Sequence, residues 1–292
     1  MAQAQTPEWT LRATDGPPAR FGAGMAYDSV RENAVLFGGY GSSTVTPGQL
    51  VPLGDTWTWN GNAWQLAATS GPSPRANTCL AFDSKRGVVV LFGGDVNSVP
   101  RPAETWEWDG QTWALRATTG PSPRSGFNQM VFDSARGVVV WYGGSQGPND
   151  YRADTWEWDG SVWTLRTTSG PGPRLAPGMA YDSVRQKTVV FGGSRGFPWL
   201  NDTWEWNGIT WTQRPVSGPA SRAAPAMTFD SVRTVSIVFA GLGVASPTFL
   251  SDTWEFDGIA WRQQPVSGPP AREGATMVFD SRRGVSVMFG GE

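Results

Sequence analysis

Short apolar runs alternate with turn-forming residues along the whole chain. In one stretch, residues 126–132 and 138–142 are apolar or β-branched, and Asp133-Ser-Ala-Arg-Gly137 separates them. Such runs are too short for helices, and Asp followed by Gly favours a tight turn. The pattern predicts a hairpin of two strands, a and b, with the Asp as a turn cap rather than a calcium ligand. The same Asp-Ser-x-Arg motif recurs at 28–31, 83–86, 182–185, 230–233 and 280–283.

A second hairpin follows each of the first five. Thr105-Trp-Glu-Trp108 leads through Asp109-Gly110 into Thr112-Trp-Ala-Leu-Arg116. Asp-Gly between two such runs is typical of a two-residue type I′ turn, which would place Trp106 directly opposite Trp113. We expect these indoles to pack between neighbouring sheets, with carbohydrate stacking as the alternative. The pairs are Trp57/Trp64, Trp106/Trp113, Trp156/Trp163, Trp204/Trp211 and Trp254/Trp261.

The two hairpins belong to a repeat of about fifty residues. Its clearest marker is the arginine of a Gly-Pro-x-x-Arg-like element, found at Arg20, Arg75, Arg124, Arg174, Arg222 and Arg272. A period near fifty that is built of short strands indicates a radial array of small sheets. The sequence therefore predicts an all-β, six-bladed β-propeller with four antiparallel strands per blade, formed as one domain over residues 1–292.

The sixth blade is incomplete in this pattern. Glu8-Trp-Thr-Leu-Arg12 resembles an isolated strand d, predicted over residues 6–12, and the printed chain reaches Gly290-Gly-Glu292 where a strand c is due. We expect the N-terminal strand to close the last blade beside the final a–b hairpin. Either this blade has three strands or the protein continues past Glu292, and the second alternative is favoured.

Composition removes several function classes. The net charge is −2 and no basic run occurs, so neither nucleic-acid nor anionic-membrane binding is expected. No apolar stretch reaches the roughly 20 residues of a membrane span. Histidine is absent, and Cys79, the single cysteine, lies in a predicted strand as a buried thiol. Neither a metal site nor a cofactor is expected. Ala2-Gln-Ala4 resembles the tail of an export-signal cleavage site.

Three motifs resemble those of the Kelch-repeat family: Gly143-Gly144 after the second strand, Trp106 followed by Trp113, and Pro123-Arg124 before the first strand. The chain resembles the bacterial Kelch-like branch of the galactose-oxidase-like propellers. The resemblance implies a Kelch-type propeller and an exported bacterial protein. Many Kelch units carry His soon after the arginine; here those positions hold Ala23, Thr78, Phe127, Pro177, Pro225 and Ala275. Without His, the copper chemistry of galactose oxidase is not expected.

The b–c connections are the only segments that differ among units: 40–54, 95–103, 145–153, 194–201 and 242–251. Variable loops on a rigid scaffold commonly carry binding residues. The candidate binding residues are the aromatic and charged members of these loops, namely Tyr40, Asp95, Arg101, Asp150, Tyr151, Arg152, Arg195, Phe197, Trp199 and Phe249. Asp95 and Asp150 are the only loop acids that suggest hydrolysis, and we expect no catalysis.

Two functions remain open. We favour a monomeric, non-catalytic scaffold that binds a protein partner through the loop rim and the channel mouth. The alternative is a lectin-like propeller that binds glycans in repeated pockets between blades, using residues such as Arg124, Glu107 and Trp106. The repeated arginines could also form a ring for a carboxylate or sulfate ligand. We expect them instead to pair with the acids that begin strand c: Asp55, Glu104, Asp154, Asp202 and Asp252.

Overall fold

The structure, a computed structural model, describes residues 7–43, 48–97, 101–127, 129–197, 199–244 and 248–292. These residues form β-strands, turns and extended segments without a helix. The predicted all-β class is confirmed. None of the described segments is a helix with the length and apolar character needed to cross a membrane.

Each unit contributes short strands that run antiparallel to their neighbours. The first unit contains β1 (Arg20–Phe21), β2 (Gly24–Asp28), β3 (Asn33–Phe37), β4 (Tyr40–Ser42), β5 (Leu50–Pro52), β6 (Thr56–Trp59) and β7 (Trp64–Ala68). The second contains β8 (Cys79–Asp83), β9 (Val88–Phe92), β10 (Thr105–Trp108) and β11 (Trp113–Ala117). The third contains β12 (Met130–Asp133), β13 (Val138–Tyr142), β14 (Thr155–Trp158) and β15 (Trp163–Thr167).

The later units follow the same order. The fourth contains β16 (Gly178–Asp182), β17 (Lys187–Gly193), β18 (Leu200–Trp206) and β19 (Trp211–Arg214). The fifth contains β20 (Arg222–Ala223), β21 (Ala226–Asp230), β22 (Val235–Gly243), β23 (Thr248–Phe256) and β24 (Trp261–Gln264). The sixth contains β25 (Thr276–Asp280) and β26 (Val285–Phe289).

One main sheet forms in each unit, and we call these main sheets blades 1 to 6. Blade 1 has the order β2-β3-β6-β7, blades 2 to 4 repeat it with their own four strands, and blade 5 uses β21 to β24. Blade 6 has only β25 and β26 among the described residues. Three extra pairings lengthen blades at one end: β1 pairs with β4 and β4 with β5 in a small sheet beside blade 1, and β20 pairs with the extended β22. In each blade the strands are named a to d in chain order.

The first strands of the blades lie at the centre. The strands β2, β8, β12, β16, β21 and β25 contact one another in this sequence, and β25 contacts β2 again, so the circle is closed. A cavity of about 330 Å³ lies among them, and all six strands line it. This closed arrangement confirms the predicted propeller architecture.

The a–b turns are capped by their aspartates, as predicted. Asp28 Oδ1 accepts hydrogen bonds from the backbone N–H groups of Val30 (3.0 Å) and Arg31 (2.9 Å). Its other oxygen binds the Arg31 guanidinium at 2.7 Å. The carboxylate is fully buried, so its charge is used within the turn. The equivalent buried aspartates are Asp83, Asp133, Asp182, Asp230 and Asp280.

The c–d turns differ from the predicted two-residue hairpins. Trp113 lies opposite Trp108, with ring centroids 5.5 Å apart, while Trp106 lies opposite Leu115. The Asp109 carboxylate accepts hydrogen bonds from the backbone N–H groups two and three residues ahead, at 2.8 and 2.7 Å. This side-chain cap holds a four-residue loop, residues 109–112, and shifts the register. The predicted Trp106–Trp113 pairing is therefore wrong.

Two features require a glycine at position 110 of this loop, namely the backbone conformation there and the neighbouring blade. Its φ is +96°, and a Cβ at this position would lie 2.0 Å from Nε of Arg31 in blade 1. The a–b turn of one blade therefore packs its arginine on the c–d glycine of the next. The same contact recurs in the pairs Arg86/Gly160, Arg136/Gly208, Arg185/Gly258 and Arg283/Gly61.

Strand-d tryptophans join neighbouring blades. Trp113 of blade 2 packs on Phe37 of blade 1 with ring centroids 5.3 Å apart, and its indole N–H donates to Thr56 Oγ1 at 2.8 Å. These contacts support the expected packing role. The same ring contact recurs for Trp163 on Phe92, Trp211 on Tyr142, Trp261 on Phe191, Trp9 on Phe239 and Trp64 on Phe289.

The N-terminal segment departs from the prediction of a strand over residues 6–12. Residues 7–13 form no strand, and residue 6 lies outside the described ranges. Trp9 nevertheless occupies the place of a strand-d tryptophan, because its indole N–H donates to Thr253 Oγ1 at 3.1 Å. A strand d needs a strand c beside it for its ladder of hydrogen bonds, and blade 6 has none among the described residues.

Candidate functional site: the connection rim

Strand direction sorts the connections onto two rims. Strand a begins at one rim, near Arg20, and ends at the other, near Asp28. Because successive strands are antiparallel, the d–a and b–c connections share the first rim, which we call the connection rim. The a–b and c–d turns share the second, the hairpin rim. All ten candidate binding residues belong to b–c connections, so they lie on the connection rim or on the strands that lead to it.

Five of the six repeated arginines are neutralised within their own blades. Arg124 is 2% exposed and binds both oxygens of Asp154, at 2.5 and 2.9 Å, while also donating to the carbonyl oxygen of Gly143. This is the pairing that we expected, and it leaves these arginines little charge for a shared ligand ring. The other pairs are Arg20–Asp55, Arg75–Glu104, Arg174–Asp202 and Arg222–Asp252.

The partner acids carry shifted pKa values. Burial alone would raise the pKa of Asp154, but the hydrogen bonds and the charge of Arg124, with the indole N–H of Trp156, lower it below its ordinary value. The Trp156 N–H lies 2.6 Å from Asp154 Oδ2. The same causes lower the pKa values of Asp55, Glu104, Asp202 and Asp252.

A belt of backbone hydrogen bonds surrounds the channel mouth on this rim. Its members lie two residues after each repeated arginine, and the N–H of every member except Ala176 donates to the carbonyl of the preceding member. The bonds run from Asn77 to Gly22 (2.7 Å), Gly126 to Asn77 (3.0 Å), Ala224 to Ala176 (2.8 Å), Gly274 to Ala224 (3.3 Å) and Gly22 to Gly274 (3.0 Å). Asn77, Ala176 and Ala224 take φ values near +50°, a conformation that L residues rarely adopt. The belt fixes the spacing of the blades around the mouth.

The belt is interrupted between blades 3 and 4. The described residues contain no bond between the N–H of Ala176 and the carbonyl of Gly126. In blade 3, the interval from Arg124 to Asp133 is one residue longer than elsewhere. Gln129 lies in this interval and is fully buried, and neither Oε1 nor Nε2 has a hydrogen-bond partner among the described residues. The mouth is therefore asymmetric at this point.

A polar bridge links the loops of blades 2 and 3 on the same rim. Arg101 Nε binds Asp95 Oδ1 at 2.7 Å, and its NH1 donates to the carbonyl oxygen of Gln146 at 2.5 Å. Asn77 Nδ2 donates to the second Asp95 oxygen at 2.9 Å. Asp95 and Arg101 were both predicted binding residues, and the structure brings them into direct contact. Asn77 was missed, although its polar side chain departs from the Gly or Ala that the other units carry there.

Tyr40 of blade 1 lies beside this bridge. Its ring packs against Phe21, with centroids 5.4 Å apart. Burial raises the pKa of the Tyr40 hydroxyl, the nearby charge of Asp95 raises it further, and Arg101 opposes both. Tyr40, Asp95 and Arg101 therefore form one electrostatic group at the border of blades 1 and 2.

The remaining candidates lie on blades 3 to 5. Asp150 and Arg152 form an exposed ion pair at 3.0 Å, and Tyr151 forms a single bridge with Ser145. In blade 4, Arg195 is exposed, Phe197 is 80% exposed, and Trp199 is half-buried. Phe249 in β23 lies opposite Leu242 and is half-buried. The backbone N–H of Gln146 donates to the carbonyl oxygen of Asp150 at 3.1 Å, so the Asp150 loop is joined to the Asp95–Arg101 bridge through Gln146.

The family described as the KLHDC2/KLHL20/DRC7 Kelch-repeats domain matches residues 86–291. The chain belongs to this Kelch-repeat family. A search among curated proteins gives no significant match. Kelch repeats generally mediate protein–protein interactions, and these propellers are generally non-catalytic.

The Kelch scaffold of this chain offers little to a metal ion. In the described part of the chain, no group of three or more His, Cys, Asp and Glu side chains comes together. Cys79 is 1% exposed in strand a of blade 2, as predicted for a buried thiol. Arginines or backbone N–H groups bind the acids of the repeat, as Arg124 binds Asp154 and the N–H of Val30 binds Asp28.

Proposed function

We propose that this Kelch propeller is a non-catalytic scaffold that binds a protein partner at the connection rim. One contrast carries the proposal. The repeated charged side chains are mostly engaged inside or between blades, whereas the b–c loops present an ordered Asp95–Arg101 bridge and the free, 80% exposed ring of Phe197. Interfaces commonly combine exposed aromatic and arginine side chains of this kind.

No described contact favours the lectin-like alternative. Arg124 is buried against Asp154, and Glu107 is 3% exposed and binds Arg86 and Arg116. The indole N–H of Trp106 donates to Glu104. A sugar that used these groups would first have to displace their present partners. Glycan binding is therefore kept as an outcome of the test.

Two matched variants test the rim. Phe197→Ser changes the connection rim, and Ile209→Ser changes the hairpin rim at a side chain that is 77% exposed. Bound proteins are crosslinked in the native cells to the wild-type chain and to each variant. The amount of each crosslinked protein is then compared among the three samples. We expect at least one specific partner to be lost with Phe197→Ser and kept with Ile209→Ser. Loss in the Ile209 variant alone, or specific hits on a glycan array with no protein partner, would contradict the proposal.

A further inference from the structure

The central cavity of about 330 Å³ is a cup that opens at the hairpin rim. Its lining consists of strand a residues near the a–b turns and of two exposed serines in those turns, Ser183 and Ser231. Gly24 and Cys79, which begin strand a near the connection rim, do not line it. The volume lies at the lower end of the roughly 300–1,000 Å³ typical of ligand pockets, so a small molecule fits.

Six aromatic rings form the wall of the cup nearest the hairpin rim. In every blade, the buried aspartate of the a–b turn follows an aromatic residue of strand a, and each of these aromatic residues lines the cavity. Phe82 and Phe132 are only half-buried, so their rings have surface left for a ligand. The wall consists of Tyr27, Phe82, Phe132, Tyr181, Phe229 and Phe279.

A layer of thioethers lies below the aromatic wall. Because side chains two residues apart share one face of a strand, the residue two positions before each aromatic also lines the cavity. It is leucine in blade 2, Leu80, and methionine in the other five blades: Met25, Met130, Met179, Met227 and Met277. Thioether sulfur makes favourable contacts with aromatic rings, and the unbranched side chain adapts to irregular shapes. The wall and the base of the cup therefore both favour an aromatic ligand.

The polar groups of the cup are uncharged. Each strand a pairs only with strand b among the described residues, as β16 does with β17, so the N–H and C=O groups on its inner edge face the channel. No charged side chain lines the cavity in the described part of the chain. A charged ligand would lose its hydration here without gaining a counter-charge. A neutral ligand with an N–H or O–H group keeps a hydrogen bond by donating to a strand-edge carbonyl.

We propose that this cup binds an uncharged aromatic molecule that carries one hydrogen-bond donor, such as a phenol or an indole. The ring packs against the aromatic wall and the methionine layer, and the donor binds a backbone carbonyl on the inner edge of a strand a. The site lies on the rim opposite Phe197 and depends on residues that the proposed partner surface does not use. The two proposals can therefore fail independently.

Methionine-methyl NMR tests the site directly. The chain contains seven methionines, and five of them line the cup, while Met288 lies in β26 outside the lining. The full chain, labelled with ¹³C at the methionine methyl groups, is titrated with phenol at neutral pH. We expect saturable shifts of the five cup signals, with a dissociation constant on the order of 1 mM, and smaller shifts of the Met288 signal.

Three analogues of phenol separate the features of the ligand. Anisole keeps the ring and the oxygen but has no donor, and cyclohexanol keeps the hydroxyl but has no aromatic ring. Each should bind about twofold to tenfold more weakly than phenol. Benzoate keeps the ring but carries a charge, and it should bind at least about tenfold more weakly because the lining offers no counter-charge.

Matched serine variants locate the opening. Every a–b turn carries an exposed serine at the same position, but only Ser183 and Ser231 among them line the cavity. The double variant Ser183→Trp/Ser231→Trp should weaken phenol binding at least about tenfold, because two indoles cover the opening. The double variant Ser29→Trp/Ser84→Trp adds the same side chains to blades 1 and 2 and should leave phenol binding unchanged.

Several outcomes overturn the proposal. They are an absence of saturable shifts, a Met288 shift as large as those of the cup signals, and binding of any of the three analogues as tight as that of phenol. An equal loss of binding in the two double variants, or no loss in either, also overturns it. If a double variant fails to fold, the phenol and benzoate titrations of the wild-type chain decide the question.

Discussion

The backbone N–H of Gly22 donates to the carbonyl oxygen of Gly274 over 3.0 Å and joins the first repeat to the sixth. Both residues have φ near +60°, so the bond depends on glycine-like backbone geometry at the channel mouth. This contact belongs to the belt that links the innermost connections. The ring of blades is therefore closed by a main-chain hydrogen bond as well as by the Trp64–Phe289 side-chain contact.

A side chain at Gly22 is therefore expected to lower the stability of the fold. A Cβ at Gly22 would lie 2.2 Å from Asn77 Oδ1, whereas one at Gly87 would meet nothing within 4 Å, although the φ values are +62° and +68°. Gly87→Ala should cost about 1 kcal/mol from backbone strain alone. Gly22→Ala should cost about 1–3 kcal/mol more because of the overlap. Urea unfolding measures both, and equal losses would contradict the role of the belt.

Trp9 should contribute to stability in spite of lying outside any strand. It packs on Phe239 at 4.8 Å and donates to Thr253. Trp9→Ala should lower the free energy of unfolding by about 3 kcal/mol. Leu11→Ala is the control, since Leu11 is 80% exposed two residues away and should change stability by less than about 0.5 kcal/mol. Thermal or urea unfolding that gave the same small effect for both would exclude this anchoring role.

The two ion pairs on blade 3 should differ in strength. Arg124 is buried against Asp154, while the Arg152 and Asp150 side chains are 40% and 49% exposed. Asp154→Asn should destabilise the fold by about 3 kcal/mol, because it leaves a buried guanidinium without its counter-charge. Asp150→Asn should cost less than about 1 kcal/mol. The comparison requires only equilibrium unfolding of the two variants at neutral pH, and a reversed order would contradict it.

Acid should weaken the propeller through the same pairs. The pKa of Asp154 is lower in the folded protein than its ordinary value, so its stabilising contribution is present above the unfolded pKa of about 4. That contribution is lost as the pH falls through the folded pKa. The free energy of unfolding should therefore fall below about pH 4, and more gently in Asp154→Asn. Unfolding curves collected at several acidic pH values measure the slopes, and identical slopes would count against the pairing.

Gln129→Met should stabilise the protein. The amide of Gln129 is buried without a described hydrogen-bond partner, and methionine has a similar length without the polar atoms. Removing an unsatisfied buried amide should raise the free energy of unfolding by about 1–3 kcal/mol. A rise in the melting temperature checks this expectation. A lower melting temperature would contradict it and would indicate that the Gln129 amide has a hydrogen-bond partner.

Much of the fold follows from the sequence because its signals are local and repeated. The a–b turn caps and the arginine–acid pairs recur at fixed spacing, so each copy supports the others. The register of the c–d hairpins could not be read in this way. Asp-Gly favours a two-residue turn, but the Asp109 carboxylate bonds two amides ahead of it and stabilises a four-residue loop. Local propensity was overridden by a side-chain hydrogen bond.

The candidate site was less predictable for a different reason. Loop variability pointed to Asp95 and Arg101, but their contact depends on the position of blade 3, whose Gln146 carbonyl receives Arg101. Asn77 and Gln129 were missed because they lie within the repeat rather than in the variable loops. The one available signal was their departure from the small residues of the other units and the longer interval in blade 3. Contacts between repeats are set by three-dimensional packing, which spacing alone does not reveal.

The contact between Arg31 and Gly110 has a consequence for how such a chain can change over time. Gly110 has no room for a side chain because an arginine from the adjacent unit fills that space. The φ of +96° strains any larger residue at Gly110, and such a residue fits beside the adjacent blade only after Arg31 has become smaller, so the order of the two changes matters. Sequence change in one blade is thus constrained by the neighbouring blade. Compensating pairs of substitutions should therefore occur between adjacent blades all around the ring.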